Sequence, residues 1–546
     1  MGSPGSHMGK FDCIVVGSGM AGCRMAADLA AGGLRVAVVE AGPLRTAADV
    51  LPRDPRPTTA MERWRFSWEG QPVQSRNVQF ARHNRGFYVN DRTYPYLASG
   101  PFLWFRGRQV GGRSILWSRV AMRMSDHEFH PYPGASHWEN WPFGHSELAP
   151  WYARVERDLG VRGEAAYCVG LPDGEYVGPA AFSPLLKTLR GRLEDNVSGL
   201  RCLPARTARL ERSVMPVTLM QAVRAGATLI ADAAVVRVIV GPGTRRASGV
   251  EAMRPDGSRF LIDGGCVILC ASTIESVRIL WQSAGPDHPR GIGNHSDLLG
   301  RGIQDHLAVS CSGWLAADLR GRDHPLVPEP DDPWQEDPAH LLVWGREHRR
   351  MGTTDGGNAL AVDGLAHLTL VQASAKWSLL VIGASRSDPA NRITVRSVPG
   401  QPLPVPMIAC ERTDDDFDRL DSLARLAKRI VRTGGLGPPG RTWSRRLAHM
   451  IAPDWMLRRS RYLPGAVIHE TGGARMGTRP AESVVDPWGC CWDADNVFVA
   501  DGSVFPNSGF QNPTLTILAL SARTAAHVLE TRGRWRRGSE GGVGDG

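Results

Sequence analysis

Residues 11–40 read FDCIVVGSGMAGCRMAADLAAGGLRVAVVE. FDCIVV at 11–16 has the continuous apolar pattern of a buried strand, Gly22 to about Ala31 carries its apolar residues on one helical side, and RVAVVE at 35–40 reads as a second strand ending on an acid. Between the first strand and the helix stands Gly17-Ser18-Gly19-Met20-Ala21-Gly22. Each glycine there has a steric reason: Gly17 permits the tight turn, Gly19 lets the backbone approach a pyrophosphate, and Gly22 lets helix and strand pack closely. The helix start then offers free N–H groups and a positive dipole end to the phosphates. Glu40 is placed to accept hydrogen bonds from ribose hydroxyls. A bare GxGxxG is often only a glycine turn; the strand, helix and terminal acid around this one predict a dinucleotide site. The fingerprint alone does not choose between FAD and NAD.

At 546 residues the chain exceeds one compact core. Its 42% hydrophobic and 22% charged content is that of a soluble globular protein and excludes wholesale disorder. The longest apolar runs, Cys266 to Ala271 and Leu515 to Leu520, fall far short of the roughly 20 residues that cross a bilayer. Without a signal peptide either, the expectation is a cytoplasmic protein with no membrane partner. MGSPGSHM at 1–8 looks like the remnant of an expression tag and is left out of the fold. Ten cysteines without a CxxC pair or a zinc spacing predict reduced, mostly buried thiols and no metal site. The adjacent Cys490 and Cys491 are poorly placed for an unstrained disulfide. The net charge of +9 is almost wholly arginine, since the lysines are Lys10, Lys187, Lys376 and Lys428. Arginines cluster at 441–446, at 458–461 and from Arg532 to Arg537, but no nucleic-acid motif surrounds them. A solvated surface is expected there, with no nucleic-acid partner.

Residues 46–98 lose the regular pattern and are rich in Pro, Trp, Arg and Asn, which reads as an excursion over the active site. Ser146 to Asp158 is expected to be an amphipathic helix. Ala227 to Val240 and Phe260 to Ala271 read as strands, with a turn at Pro255-Asp256-Gly257 and a helix near Ile274. Residues 320–358 form an insertion, 376–396 read as strands again, and a last strand at Val497 to Ala500 leads into a helix from Thr514 to Val528. The Gly-rich end, 538–546, is expected to be disordered. Cofactor-type signals at both ends and in the middle predict two interleaved domains.

Beyond the fingerprint, the chain resembles the glucose-methanol-choline oxidoreductases, and its pyranose-oxidase-like branch, over nearly its whole length. RGRQVGGRSILW at 106–117 is similar to the family's second glycine-rich segment, WPFGHSELAPWYARVERDLGV at 141–161 to the helix after it, and VILCASTIESVRILW at 267–281 to its mid-chain signature. GIGNHSDLLGRGIQDH at 291–306 and DPANRITV at 388–395 match the substrate-domain lead and interior. HETGGARMG at 469–477 with VFVADGSVFPNSGFQNPTLTILALSARTA at 497–525 is the most specific match.

The resemblance implies an α/β fold in which a Rossmann-like FAD-binding domain (9–45, 97–160, 200–305 and 462–530) interleaves with an α+β substrate domain on an antiparallel sheet (46–96, 161–199 and 306–461). It implies FAD as cofactor, with Gly111, Gly112, Ser114 and Trp117 beside the flavin, Val235 near adenine, Ala271 in the mid-chain return, and Asp501, Gly502, Pro513 and Thr514 holding the ribityl chain and ring. His469 and Asn512 would face the ring as catalytic residues, His469 as base. Leu116 stands where some pyranose oxidases join a histidine to the flavin, so non-covalent FAD is expected. The substrate implied is an alcohol of a sugar, glycoside or related polyol, an amino-sugar natural-product intermediate included. The acids Glu329, Asp331, Asp332, Glu336 and Asp337 would greet a cationic substrate or form a solvated loop. Two other classes fit parts of the pattern: a lyase of this fold with a non-redox flavin, and a nicotinamide-dependent dehydrogenase, against which the C-terminal segment argues. His306 is expected to be structural, and His145, His295 and His348 to be surface residues. Ala474 departs from the family segment.

Overall fold

Alternate residues of the first strand face two different cores. In β1 (His7–Val16), Cys13 and Val15 pack into one apolar cluster, while Ile14 and Val16 pack into another. The same alternation holds in β2 (Val36–Val39), where Val36 and Val38 face one side and Ala37 and Val39 the other. A sheet buried on both faces has no polar side, which is why these strands read as unbroken apolar runs. In this computed structural model the described residues are 7–45, 58–77, 79–130, 137–168, 170–179, 184–196, 199–209, 217–319, 339–348, 361–371, 376–436 and 463–536.

The sheet continues through β3 (Thr228–Ile230), β4 (Arg259–Leu269) and β5 (Ala494–Val499), in the spatial order β5–β4–β1–β2–β3 with every neighbouring pair parallel. Cys490–Cys491 adds an antiparallel edge beside β5, and the hairpin of Ala234–Val240 with Ala247–Met253 pairs onto the first half of β4. Between β1 and β2 lies α1 (Met20–Ala31); α2 (Thr273–Gln282) follows β4, and α3 (Thr514–Glu530) follows β5 and packs against α1. The fold is mixed α/β, as the sequence implies.

A second, wholly antiparallel sheet has five strands in the order Leu307–Trp314, Lys376–Gly383, Ala361–Val371, Ala339–His348 and Arg201–Pro204. The helix Asp414–Thr433 covers it with Leu420, Leu423, Leu426 and Ile430, all buried. A three-stranded sheet joins Arg392–Arg396, Val405–Ala409 and Leu97–Ala98.

Four local readings differ from expectation. β1 starts at His7, which pairs with Leu261, so two of the eight tag-like residues extend the strand. Arg201–Pro204, at the start of the 200–305 stretch expected in the FAD-binding domain, pairs with Leu341–Trp344 in the antiparallel sheet. The excursion at 46–98 contains a helix, Ala60–Trp68, started by a capping box in which Thr59 and Glu62 satisfy each other's backbone N–H. Strand Ala247–Met253 escapes a periodicity reading because Gly249 and Glu251 interrupt it. The acids at 329–337, the arginine clusters at 441–461 and the Gly-rich end lie outside the described residues. Among the described residues no helix is long and apolar enough to cross a membrane.

Candidate cofactor and active site

The carboxyl ends of the parallel strands open into one cavity of about 320 Å³, lined by Val16, Val39, Cys270 and Asp501 just at or beyond those ends. Doubly wound sheets bind ligands at that edge. The glycines behave as their spacing requires. Gly17 sits at φ +97°, and a Cβ there would lie 2.5 Å from the Cys270 carbonyl oxygen. A Cβ on Gly22 would lie 1.9 Å from the Gly17 carbonyl oxygen, whereas one on Gly19 would meet nothing within 4 Å. Gly19 faces the cavity and caps α1 without a side-chain acceptor or an acid in the first turn. The first N–H groups and the dipole are thereby left for an anion.

Glu40 lines the same cavity at the end of β2. One of its oxygens accepts the Ser18 N–H (3.0 Å) and hydroxyl (2.7 Å), and the other accepts the Gly42 N–H (2.9 Å). Burial pushes its carboxyl above the ordinary range, against these hydrogen bonds. The Ser18 hydroxyl in turn accepts the Gly111 N–H at 3.0 Å, so one serine ties both glycine-rich segments together. Gly111 and Gly112 have φ of +86° and +57°, and Gly112 comes so close that its Cβ would be 3.2 Å from the Gly19 Cα. Gly112, Ser114, Trp117, Val235 and Ala271 all line the cavity. Gly22 and Gly111 do not; Gly22 acts through the close approach of helix and strand, and Gly111 through its N–H bond to Ser18. Leu116 lines it as well and leans on Phe66, Phe80 and Tyr88 of the excursion.

At the other end the cavity is lined by His469, Asn512, Asp501, Gly502, Pro513 and Thr514. Asp501 accepts the Ser503 N–H (2.9 Å), the Ser503 hydroxyl (2.6 Å) and the Ser276 hydroxyl (2.5 Å), and burial raises its carboxyl above the ordinary range. The Asp305 carboxylate accepts the N–H groups of Val467 (3.1 Å) and His469 (3.0 Å). Those two bonds flank Ile468, a β-branched residue at φ +68°, a conformation that costs about 1–3 kcal/mol and persists only where neighbours enforce it. Nε2 of His469 lies 3.4 Å from the Asn512 amide nitrogen, and its Nδ1 lies 2.8 Å from Nδ1 of His306. Arg113 donates to Glu470 at 2.9 Å. The remaining Glu470 oxygen and the Asn512 side-chain oxygen are buried without a protein partner. A cavity running from a bare helix start to buried, unpaired acceptors fits an elongated dinucleotide.

Five residues at this site were not singled out as site residues in the sequence: Ser18, Arg113, Asp305, His306 and Glu470. Asp305 and His306 stand in the quoted segment GIGNHSDLLGRGIQDH, but only folding brings them to His469, across 163 residues for the two histidines. His306 lies fully buried behind the cavity wall. His295 is exposed and bonds the Pro480 carbonyl; His145 is half-buried and stacks on Tyr152. The side chain of His348 is outside the described residues. All ten cysteines are thiols, Cys490 and Cys491 included, and burial pushes both of that pair upward. Among the described residues no group of three or more His, Cys, Asp or Glu is arranged for a metal ion.

Burial pushes His306 down from 6.5 to about 4. Between those values an unfolded chain binds a proton that the folded one refuses, so the stabilising contribution of neutral His306 is full above pH 6.5 and is lost as pH falls through 4. The shift corresponds to on the order of 3 kcal/mol. In urea unfolding between about pH 7 and pH 4, wild type is expected to lose roughly that much stability relative to His306→Gln. A stability difference that does not change with pH removes His306 as the titrating group.

The sequence pattern of the GMC oxidoreductase family matches residues 11–308 with its N-terminal part and 387–521 with its C-terminal part. The chain is 26% identical to the 6'''-hydroxyparomomycin C oxidase of Streptomyces lividus, over 97% of this chain and 94% of that one. It is 23% identical to the fructose dehydrogenase large subunit of Gluconobacter japonicus, over 95% and 97%. Among solved structures, an R554K variant of Aspergillus oryzae formate oxidase superposes with a TM-score of 0.66 at 17% identity, covering 98% of this chain and all of that one, which is a likeness of fold. The chain belongs to the GMC oxidoreductase family and is an FAD-dependent oxidoreductase.

Proposed function

We propose that the chain oxidises an alcohol group of a sugar, glycoside or amino sugar to a carbonyl, with His469 as the base. The observation that carries this is the meeting of His469 and Asn512, 43 residues apart in sequence, at 3.4 Å in one end of the FAD cavity. FAD, when bound, supplies the ring that accepts hydride from the alcohol carbon. Removal of that hydride requires the hydroxyl proton to leave, and an imidazole, which titrates near neutrality, is suited to take it. Nε2 of His469 takes the proton, and the Asn512 amide donates a hydrogen bond to the oxygen as negative charge develops there. Asp305 holds the His469 backbone, and His306 and Asn512 flank the two ring nitrogens. The cradle from Gly19 to Glu40 holds the phosphate and ribose groups, and Asp501 to Thr514 hold the flavin end, non-covalently at Leu116. On this reading the parallel sheet carries the cofactor and the five-stranded sheet carries the substrate-facing part. The aminoglycoside named for the Streptomyces relative supports an amino-sugar substrate and a place in natural-product biosynthesis.

An anaerobic screen over aminoglycosides, simple sugars and glycosides tests the reading. The yellow flavin absorbance is expected to bleach with a substrate of this class and to return on reoxidation. Turnover with a flavin that never bleaches would instead mark a lyase with a non-redox flavin.

A further inference from the structure

Both ring nitrogens of His306 are engaged. Nε2 lies 3.2 Å from the Ser508 carbonyl oxygen, and Nδ1 lies 2.8 Å from Nδ1 of His469. A carbonyl oxygen only accepts, so Nε2 of His306 carries a proton. A neutral imidazole has one N–H, which leaves Nδ1 of His306 as an acceptor. Two nitrogens at hydrogen-bond distance share one proton, and it therefore belongs to Nδ1 of His469. Neutral His469 then carries no proton on Nε2, the nitrogen that faces the Asn512 amide.

We propose that His306 is a positioning residue: through the bond chain Ser508 carbonyl, His306, His469, it fixes the tautomer of His469 and presents Nε2 as the proton acceptor. The proposal rests on His469 being the base. The alcohol O–H proton moves to Nε2, and His469, now doubly protonated, keeps donating from Nδ1 to His306 through a charge-assisted bond. Four charged groups surround the pair. Arg412 donates to the backbone carbonyls of Asp305 and His306, Asp305 accepts from the backbone of Val467 and His469, and Arg113 pairs with Glu470. Burial keeps His306 neutral near pH 7, the state in which its Nδ1 can accept.

The test combines a tautomer measurement with kinetics on the FAD-loaded protein. In ¹⁵N-histidine-labelled wild type, long-range ¹H–¹⁵N correlations, assigned with His469→Ala, are expected to show neutral His469 protonated at Nδ1. In His306→Leu the proton is expected to move to Nε2, with kcat lowered about a hundredfold to a thousandfold, KM changed by less than about threefold and flavin content kept, since a misassigned imidazole tautomer is costly to proton transfer. His306→Gln is expected to recover kcat to within about tenfold of wild type, because its amide oxygen accepts from Nδ1–H while its amide nitrogen donates to Ser508. Wild-type neutral His469 protonated at Nε2 overturns the proposal whatever the variants do, as does a His306→Leu enzyme with wild-type kcat. A fully active His469→Ala enzyme would instead overturn the assignment of the base, and the tautomer result would stand apart from it.

Discussion

His469→Ala is expected to give a yellow, FAD-loaded protein in which the rate of anaerobic flavin bleaching by substrate has fallen by about a thousandfold to ten-thousandfold, the upper part of the range for loss of a positioned general base. The reason for retained flavin is spatial. Gly19, Glu40 and Asp501 lie on other strands and loops, and the hydrogen bonds that Glu40 accepts from Ser18 and Gly42, and Asp501 from Ser503 and Ser276, do not pass through the imidazole. The backbone of residue 469 keeps its bond to Asp305. The structural cost falls on His306, whose Nδ1 loses its partner, a buried unsatisfied acceptor worth about 1–3 kcal/mol. Thermal unfolding followed by flavin fluorescence separates that modest loss from the kinetic one. Bleaching at the wild-type rate would place the proton acceptor elsewhere. Binding of substrate should change little, because the proton is taken only as the transition state forms, so the loss is expected in the limiting rate rather than in the half-saturating concentration.

What the sequence made legible follows from how local each signal is. The glycine turn that opens on the cavity is written in thirty consecutive residues, because turn, helix start and terminal acid all follow one another along the chain. Of the residues named for it, Gly17, Gly19 and Glu40 line the cavity and Gly22 packs behind it. His469 and Asn512 were legible through resemblance alone; no spacing rule joins a histidine to an asparagine 43 residues on. The residues that support them were not legible. His306 matches a family position yet reads as structural, and Asp305 as an ordinary acid, until the chain returns to place them beside His469. Ser18 occupies the variable position of the fingerprint, where a motif asks for nothing, yet it joins Glu40 to Gly111. The helix Ala60–Trp68 did have a signal, the Thr59 to Glu62 capping spacing, obscured by the surrounding Pro, Trp and Arg.

The other large effect is expected from Gly22→Ala: purified protein, if it stays soluble at all, should lack flavin and melt well below wild type. A Cβ at this position would lie 1.9 Å from the Gly17 carbonyl oxygen and 2.9 Å from its carbon. Both atoms are backbone, so no rotamer change relieves the clash. Gly17 has no room to retreat, since it sits at φ +97° with its own Cβ direction pressed to 2.5 Å from the Cys270 carbonyl. α1 must therefore move away from β1, which pulls Met25, Ala26 and Leu29 from the core they share with Val15 and Ile268. Overpacking of side chains costs about 1–3 kcal/mol, and a backbone clash that displaces a whole helix is expected to exceed that range. Gly19→Ala supplies the contrast. Its Cβ would meet no atom within 4 Å but would project into the space a pyrophosphate needs, so that variant should fold with a near-normal apoprotein melting temperature while holding FAD weakly. Flavin-to-protein absorbance ratio and melting temperature, read side by side, separate the two roles: Gly22 failing in both, Gly19 in the first alone. A Gly22→Ala protein with wild-type flavin content and melting temperature would mean that helix and strand tolerate a wider approach than this geometry allows.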